Sequence, residues 1–421
     1  MSPLDRRAFL ARGALLTGAA GAAVATGARA AELPTTSDAP PTTPGGAVDG
    51  SNLATLQPFN GVHQAGILNP APAHATLVAF DSIAPDHTAL MQALQALSSR
   101  ARELSAGCAI PLLEADAPPA DSGTLGPENA PDALTVTISV GASLFDSRYG
   151  LAAKRPAELI QMPTFPVDQL DAKLCHGDVL VQICAQHRDT VVHTLRELAR
   201  TVRGALQQRW TMDGFSGANR GPSPKNSPRN LFAFRDGTGN PQTTDSSLMS
   251  QLVWAGAGEP AWAVGGTYQV VRIIRMHVEF WDRVALTEQQ NMIGRVRDTG
   301  APLGGTDEFQ DPRYDLDPQG KRIPLDAHIR MANPRTDATA HQRILRRGFS
   351  YHRGFDEAGQ LDQGLVFVAY NRSPSRQFAV IQNRLNDEPM TDYITPIGGG
   401  YFFAPPGMRG SSDFVGSGLF T

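Results

Sequence analysis

The sequence predicts an α+β fold built from two tandem ferredoxin-like units with antiparallel sheets. Short runs rich in β-branched residues alternate with segments whose apolar residues recur every three or four positions. In the first half these segments follow the order strand, helix, strand, strand, helix, which is the order of a ferredoxin-like unit. A similar order recurs in the second half without a short-period sequence repeat. The duplication is therefore inferred from element order alone.

The composition indicates a globular protein and argues against several functional classes. The 421 residues are 41% hydrophobic and 19% charged, which is typical of a globular chain. The formal net charge of −4 excludes a globally basic nucleic-acid binder, and we expect no nucleic-acid partner. The three cysteines form no CxxC pair, so neither a disulfide framework nor a cysteine-rich metal site is predicted.

The amino-terminal residues 1–30 read as an export signal. Arg6 and Arg7 precede a weakly apolar Ala/Gly/Leu stretch, and Ala28-Arg29-Ala30 supplies the small residues that a signal peptidase reads. The segment resembles a twin-arginine signal, with Asp5 where that motif usually has Ser or Thr. We expect a periplasmic or otherwise exported protein; an uncleaved amino-terminal helix or anchor is the alternative.

Residues 31–56 are rich in Pro, Thr, Gly and Ala and lack an apolar period, which predicts a flexible linker. The first ferredoxin-like unit is assigned to residues 57–225. Its strands are predicted at 75–82, 133–141 and 178–186, where β-branched residues concentrate. Its helices are predicted from Asp86 and from Asp189, since the leucines and valines that follow each fall on one stripe.

The second unit is assigned to residues 226–421. Strand-like runs occupy 267–278, 364–370 and 400–405, and residues 376–385 are helix-like. Thr287-x-x-Gln290 fits a capping box that opens or continues a helix between the first two of these strands.

The segment LFAFRDGTGNP, residues 231–241, places Asp236 in a turn directly after an apolar run. Asp236 could cap that turn, or it could be a carboxylate at the mouth of an apolar pocket. A calcium loop is excluded because Pro241 stands at the sixth position, which needs Gly, and Ser247 at the twelfth, which needs Glu. HExxH, GxxxxGK[ST] and CxxCH motifs are also missing from the sequence.

The segment LDAHIRMANPR, residues 325–335, surrounds His328 with apolar residues and arginines, and RILRRGFSY follows at 343–351. His328 could be a hydrogen-bonded core residue, and the arginines could form a solvated basic face. The same combination also suits haem, because imidazole ligates iron and guanidinium groups neutralise propionates.

Five segments in order carry a specific resemblance: FRDGTGNP, GTYQVVRIIRMHVEFWDR, LDAHIRMANPR, LRRGFSY and IGGGYFFAPPG. Together they resemble the dye-decolourising peroxidase family, and within it the exported, iron-transport-associated deferrochelatase/peroxidase branch. The likeness runs from about Pro58 to residue 418. It implies haem b in the carboxy-terminal unit, with hydrogen peroxide and an organic reductant or dye as substrates. It further implies iron-uptake proteins as partners and a homo-oligomer.

The resemblance also implies roles for individual residues. The family's GxxDG motif falls on residues 233–237, with Ala233 in place of the first Gly. Asp236 would be the distal acid and base that moves a proton between the peroxide oxygens. His328 would be the proximal iron ligand, and Arg346 the distal arginine, with Arg347 the adjacent alternative.

Three further residues are assigned to cofactor binding on the same ground: Arg330, Arg347 and Asp392. Asp392 would accept a hydrogen bond from the proximal imidazole and make it a stronger donor to iron.

A haem peroxidase is thus the leading functional hypothesis. A carboxylate with an ordinary pKa of about 4 is a poor base at neutral pH, so we expect dye oxidation to be best in acid. The alternative is a deferrochelatase-like protein that releases iron from haem and leaves the porphyrin intact. A non-haem, ferredoxin-like binding module is a third, weaker possibility.

Overall fold

The structure is a computed structural model that describes residues 53–111, 113, 116–218, 220–223 and 225–421. The predicted signal, residues 1–30, and the predicted linker up to residue 52 lie outside these residues. At the end of the linker, the carbonyl oxygens of Leu53 and Thr55 accept hydrogen bonds from the N–H groups of Asp132 and Ala133, at 2.7 and 2.6 Å.

The first unit has the predicted order of elements. Helix α1 begins after Asp86, whose side chain accepts a hydrogen bond from the Ala89 N–H and so caps the helix. The strands are β1 (His74–Ser82), β2 (Thr135–Gly141), β3 (Val179–Ala185) and β4 (Leu206–Phe215), and the helices are α1 (His87–Ala106) and α2 (Arg188–Thr201).

The second unit repeats the order with more helices. Its strands are β5 (Thr267–Met276), β6 (Phe349–Phe355), β7 (Leu361–Asn371) and β8 (Ile394–Ala404). Its helices are α3 (Ser246–Leu252), α4 (Val278–Trp281), α5 (Leu286–Ile293), α6 (His328–Ala332) and α7 (Phe378–Arg384). In the described part of the chain, no helix combines the length and the apolar character needed to cross a membrane.

Several details of the second unit differ from expectation: helices α3 and α6 were not predicted, and strand β8 begins at Ile394 instead of residue 400. The predicted capping box is wrong, because helix α5 begins after Ala285 and has no side-chain cap; Thr287 lies inside the helix. Strand β6 was not predicted, since its sequence FSYHRGF places Arg and Gly among the aromatic residues.

The two sheets join into one nine-stranded sheet, in which eight antiparallel strands close into a ring and the two-residue strand Leu345–Arg346 pairs with β7 beside it. A separate two-stranded sheet pairs Cys108–Ala109 with Glu128–Asn129. Within the units the strand orders are β2-β3-β1-β4 and β6-β7-β5-β8, the ferredoxin-like order in both cases. Strand β8 pairs with β2 through Phe402↔Gly141 and Phe403↔Val140, and β4 pairs with β6 through Phe215↔Ser350. The expected α+β fold with tandem ferredoxin-like units is confirmed, and the units share one continuous sheet.

The apolar core is shared between the units. On one face of the ring, buried residues of α1, α2 and strands β1–β3 pack with residues of β5 and β8. On the other face, Leu77 and Leu180 share a cluster with Val271, Val366 and Phe402. The boundary predicted near residue 225 lies in the connection between β4 and α3 and stays a prediction.

A polar network crosses the same junction. Gln269 Nε2 donates to Gln182 Oε1 at 3.0 Å, and Gln269 Oε1 accepts from the Ser139 hydroxyl at 2.6 Å. The hydroxyl of Tyr370 donates to Gln182 Oε1 at 3.2 Å. Ser139 and Gln182 belong to the first unit, and Gln269 and Tyr370 to the second. These buried hydrogen bonds therefore fix the register between the units as well as satisfying polar atoms.

Candidate active site

The second unit holds a deep pocket with mainly apolar walls. It encloses about 1700 Å³ of empty space, including its open mouth. The apolar walls come from the turn before α3 and from strands and helices of the second unit, and include Phe232, Phe234, Ile274, Met276, Ile293, Leu365, Phe367 and Phe378.

His328 is the first residue of helix α6 and lines this pocket. Its Nδ1 lies 2.6 Å from Oε2 of Glu388, a side chain that is 2% exposed. Burial alone would lower the pKa of the imidazole, but the charge and hydrogen bond of Glu388 outweigh burial and raise the pKa of His328. Because Nδ1 is held by the carboxylate, Nε2 is the nitrogen left to bind a metal.

The prediction that Asp392 accepts from this imidazole is wrong. Asp392 ends the short 3-10 helix Pro389–Asp392, and it does not line the pocket. Glu388 immediately precedes that helix and takes the expected position. The two carboxylates are four residues apart in sequence, so the sequence contained the right segment but not the right residue.

Helix α6 is held by an arginine of helix α7. Arg384 of α7 donates from Nε to the carbonyl oxygen of Met331 at 2.9 Å and from Nη2 to that of Ala332 at 3.1 Å. These carbonyls lie at the end of the helix, where they have no partner within it. Arg384 thus orients the short helix that carries His328.

Asp236 lies in a tight turn on the same pocket. Its N–H donates to the carbonyl oxygen of Pro228 at 2.9 Å. Ala233 has a φ of 67° and Gly237 a φ of 102°. Ala233 therefore keeps the left-handed backbone that Gly would adopt without strain, and the turn forms despite the substitution.

Arg346 joins Asp236 at this end of the pocket. Its Nη2 lies 3.0 Å from Asp236 Oδ1, with the two side chains 30% and 23% exposed. Arg347 instead donates to the carbonyl oxygens of Asn69 and Pro70 and does not line the pocket. The structure therefore selects Arg346 over Arg347 as the partner of Asp236, and the expected role of Arg347 in cofactor binding is not supported.

Arg330 is also directed elsewhere. Its guanidinium donates to the carbonyl oxygens of Ile323 and Asp317, at 3.0 and 2.8 Å, and stacks 4.9 Å from the ring centroid of Tyr314. It does not line the pocket, so the assignment of Arg330 to cofactor binding is corrected: this side chain braces the loop before α6.

Two other arginines, Arg335 and Arg343, line the pocket where Arg330 was expected. Burial, and then the neighbouring charge of Arg335, lower the pKa of the Arg343 guanidinium. Its buried Nε has no hydrogen-bond partner among the described residues. Arg335 already pairs with Asp311 at 3.5 Å, whereas Arg343 has no ion-pair partner among the described residues, so a bound anion would offset the cost of burying the Arg343 charge.

The residues present fit haem. The apolar walls suit a porphyrin, Nε2 of His328 can hold iron, and the unpaired guanidinium of Arg343 can receive a propionate. Asp236 and Arg346 add an acid–base group and a positive charge on the same pocket. Glu388 and Arg343 were not assigned to the site from the sequence, because neither residue lies in a pattern that sets it apart from the neighbouring carboxylates and arginines.

Two family models match most of the described chain. The model described as "Dyp-type peroxidase, N-terminal" matches residues 64–216, and "Dyp-type peroxidase, C-terminal" matches residues 227–409. The two matches meet between β4 and α3.

Close relatives and solved structures agree with this match. A Deferrochelatase of Yersinia pestis bv. Antiqua (strain Nepal516) is 46% identical, covering 100% of this chain and 95% of the relative. A Deferrochelatase of Escherichia coli (strain K12) is 50% identical, covering 86% and 87%. The structure of ferric DtpA from Streptomyces lividans is 33% identical, with a TM-score of 0.79 and coverage of 89% and 99%. A DyP-type peroxidase from Cellulomonas bogoriensis is 34% identical, with a TM-score of 0.78 and coverage of 87% and 99%.

Proposed function

The chain belongs to the Dyp-type peroxidase family and is a haem peroxidase, and from this premise we propose that its reaction takes place in the pocket between His328 and the Asp236–Arg346 pair. The observation that carries the proposal is the convergence of these three side chains on one pocket. Asp236 precedes His328 by 92 residues and Arg346 by 110 residues in the sequence.

When bound, haem supplies the redox-active iron that takes the two oxidising equivalents of hydrogen peroxide. His328 holds that iron through Nε2, while Glu388 fixes the ring and keeps the proton at Nδ1. Arg335 and Arg343 neutralise the propionates at the pocket wall.

Asp236 carries the proton in this proposal. Arg346 contacts Oδ1, which leaves Oδ2 to take a proton from one peroxide oxygen and return it to the other. Arg346 holds positive charge where the departing oxygen becomes negative. Both groups are fixed before peroxide enters, so little reorganisation is needed.

The test compares haem-loaded wild type with Asp236→Asn by rapid mixing with hydrogen peroxide. We expect the bimolecular rate constant to fall by about 10²–10⁴, because a general acid–base group contributes that much. The acid optimum of dye oxidation should also disappear. Asp392→Asn is the matched control, since Asp392 lies off the pocket, and it should keep the wild-type rate. An Asp236→Asn variant as fast as wild type would overturn the proposal.

Release of iron from haem is a second candidate function. The observation that favours it is the name Deferrochelatase, borne by relatives that share 46% and 50% identity with this chain. The test incubates the protein with haem without peroxide and follows free protoporphyrin by fluorescence. Porphyrin that appears in step with released iron would support this activity, and unchanged haem would contradict it.

We further propose haem b as the cofactor, export by residues 1–30, a homo-oligomer and contact with iron-uptake proteins. The paired Arg6-Arg7 motif supports export, and the name Deferrochelatase of the relatives supports a link to haem and iron. A pyridine haemochrome spectrum identifies the haem type, and cell fractionation of an Arg6→Lys/Arg7→Lys variant tests export.

A further inference from the structure

Glu308 is a buried carboxylate outside the pocket. It lies in the long connection between α5 and α6, and its side chain has no exposed surface. Its oxygens accept hydrogen bonds from the Ser227 N–H at 3.0 Å, Asn226 Nδ2 at 2.9 Å and the Thr238 hydroxyl at 2.8 Å. Arg235 Nε lies 3.8 Å from Glu308 Oε2.

All four partners belong to the segment that carries Asp236. Thr238 and Arg235 flank Asp236 within two residues, and Pro228, which accepts from the Asp236 N–H, directly follows Ser227. Glu308 thus ties together both sides of the turn. No comparable group of donors surrounds Asp236 itself in the described residues.

The hydrogen bonds to Glu308 stabilise its ionised form. Burial would raise the pKa of this carboxyl, but the hydrogen bonds from Ser227, Asn226 and Thr238 outweigh burial and lower it. A buried carboxylate is costly to leave unpaired. The donors of the turn therefore stabilise the Glu308 carboxylate, and the carboxylate in return fixes the conformation of the turn.

The other end of the turn is fixed to Arg346. Asn240 Nδ2 donates to the Arg346 carbonyl oxygen at 2.8 Å, and Asn240 Oδ1 accepts from the Arg346 N–H at 3.0 Å. One short segment, residues 236–240, thereby carries Asp236, holds the backbone of its arginine partner and is anchored to Glu308.

We propose that Glu308 is a positioning residue for the reaction with peroxide. It fixes the turn so that the Asp236 carboxylate stays beside Arg346 when peroxide enters. The inference rests on the proposed role of Asp236. Displacing a reacting group by about 1 Å can slow a reaction about a hundredfold, so an anchor of this kind has a measurable effect on rate.

The experiment uses haem-loaded Glu308→Gln, Thr238→Val and Thr238→Ser. Glu158→Gln is the control, because Glu158 also accepts several hydrogen bonds, from Ser373 and Ser375, but lies away from the pocket. We measure the peroxide rate constant by rapid mixing, the KM for dye, and the thermal unfolding of the haem-free proteins.

We expect Glu308→Gln and Thr238→Val to slow the peroxide step at least about tenfold. The KM for dye should be unchanged. Thr238→Ser, which keeps the hydroxyl, should restore the rate to within about twofold, whereas Thr238→Val has no donor for Glu308. Glu158→Gln should react with peroxide as wild type does even if its unfolding temperature falls.

Wild-type peroxide rates in Glu308→Gln and Thr238→Val would overturn the inference, as would a Thr238→Ser variant as slow as Thr238→Val. If Glu308→Gln fails to fold or to retain haem, the two Thr238 variants decide. The Asp236→Asn variant distinguishes a failure of the positioning role of Glu308 from a failure of the proposed function. If it is slow while the Glu308 and Thr238 variants are fast, only the positioning role fails; if it too is fast, the proposed function fails.

Discussion

At the scale of single residues, the His328–Glu388 pair determines how strongly the pocket can donate to a metal. A carboxylate on Nδ1 gives the imidazole more anionic character, and a more anionic ligand favours the higher oxidation state of iron. The short 2.6 Å contact and the near-complete burial of Glu388 make this effect large.

We therefore expect Glu388→Gln to raise the ferric/ferrous reduction potential of the haem-loaded protein by about 60 mV or more. Loss of an outer partner typically changes metal affinity at least about tenfold, and a tenfold ratio corresponds to about 59 mV for one electron. Spectroelectrochemical titration measures the potential. Asp392→Asn serves as the control and should leave it unchanged; equal shifts in both variants would contradict the assignment of Glu388.

A second residue-scale prediction concerns Arg343. Arg343→Ala should weaken haem binding about tenfold or more, because a charge-assisted hydrogen bond contributes about 1.5–3 kcal/mol. Titration of haem into the haem-free protein measures the affinity. Arg313→Ala, which removes a surface arginine paired with Asp315, is expected to bind haem normally. Unchanged affinity in Arg343→Ala would argue against a propionate at that guanidinium.

His328, Asp236 and Arg346, each singled out by a distinctive motif, all line one pocket, and their roles in the reaction stay predictions. The sequence misplaced Asp392, and it assigned Arg330 in place of Arg343. Carboxylates and arginines are abundant near both positions. Which of them reaches the pocket depends on the rotation of short helices such as α6, and local sequence does not determine that rotation.

At the scale of elements, helices α1 and α2 of the first unit are joined by a buried ionic cluster. Asp121 accepts from His193 Nε2 at 2.9 Å, and Arg100 Nη2 contacts Asp121 and Glu197 at 2.9 and 3.0 Å. Asp121, His193 and Glu197 are close enough to hold a metal ion. The Arg100 guanidinium already supplies the compensating positive charge, so the cluster is a connection between helices.

This cluster predicts a pH-dependent stability. Burial would raise the pKa of Asp121, but hydrogen bonds from His193 and the Gly123 N–H outweigh it and lower the pKa from its ordinary 3.8. The resulting stabilisation is fully present above pH 3.8 and is lost as the pH falls through the lower folded-state pKa.

Asp121→Asn should therefore lose about 2 kcal/mol at pH 7, and its deficit relative to wild type should shrink below pH 3.8. Urea unfolding at a series of pH values measures the difference. Asp81→Asn, which breaks an ion pair with Arg209 in which the Asp81 side chain is 42% exposed, should cost less than about 1 kcal/mol. A deficit for Asp121→Asn that does not change with pH would contradict the linkage.

Most elements were predictable because strong periodic patterns coincide with them. Strands β1, β3 and β5 are nearly continuous runs of β-branched and apolar residues, and α1 follows a clear stripe with Asp86 before it. Strand β6 escaped prediction because only its first three residues are buried, and His, Arg and Gly interrupt the apolar pattern before an exposed Phe355. Its place depends on β7, which pairs with it residue by residue.

At the scale of the whole molecule, the two units share both core clusters and the buried glutamine network. We expect the haem-free protein to unfold in a single cooperative transition. Hydrogen exchange during a urea titration provides the measurement, since peptides from β1–β4 and from β5–β8 should share one midpoint. Two separated midpoints would show that the units fold independently.

Ring closure could not be predicted from the sequence. The pairs that join the units are few, two between β8 and β2 and one between β4 and β6, and nothing in the sequence of these strands distinguishes them from strands at the border of a separate sheet. Repetition of the element order indicates two similar sheets, but the joining of those sheets depends on contacts between residues that are remote in sequence.

The closed ring has a consequence for how copies of this protein can meet. Unpaired strand edges recruit strands from other molecules and promote aggregation. Only three pairs of ring-strand residues join the two units, so long parts of β2, β4, β6 and β8 lack a strand partner along one edge in the described structure. Because the strand order closes on itself, however, no ring strand stands at the end of the sheet. In the described residues, the ring therefore has no terminal strand onto which copies could add in an open-ended series, as they could at the ends of an open sheet.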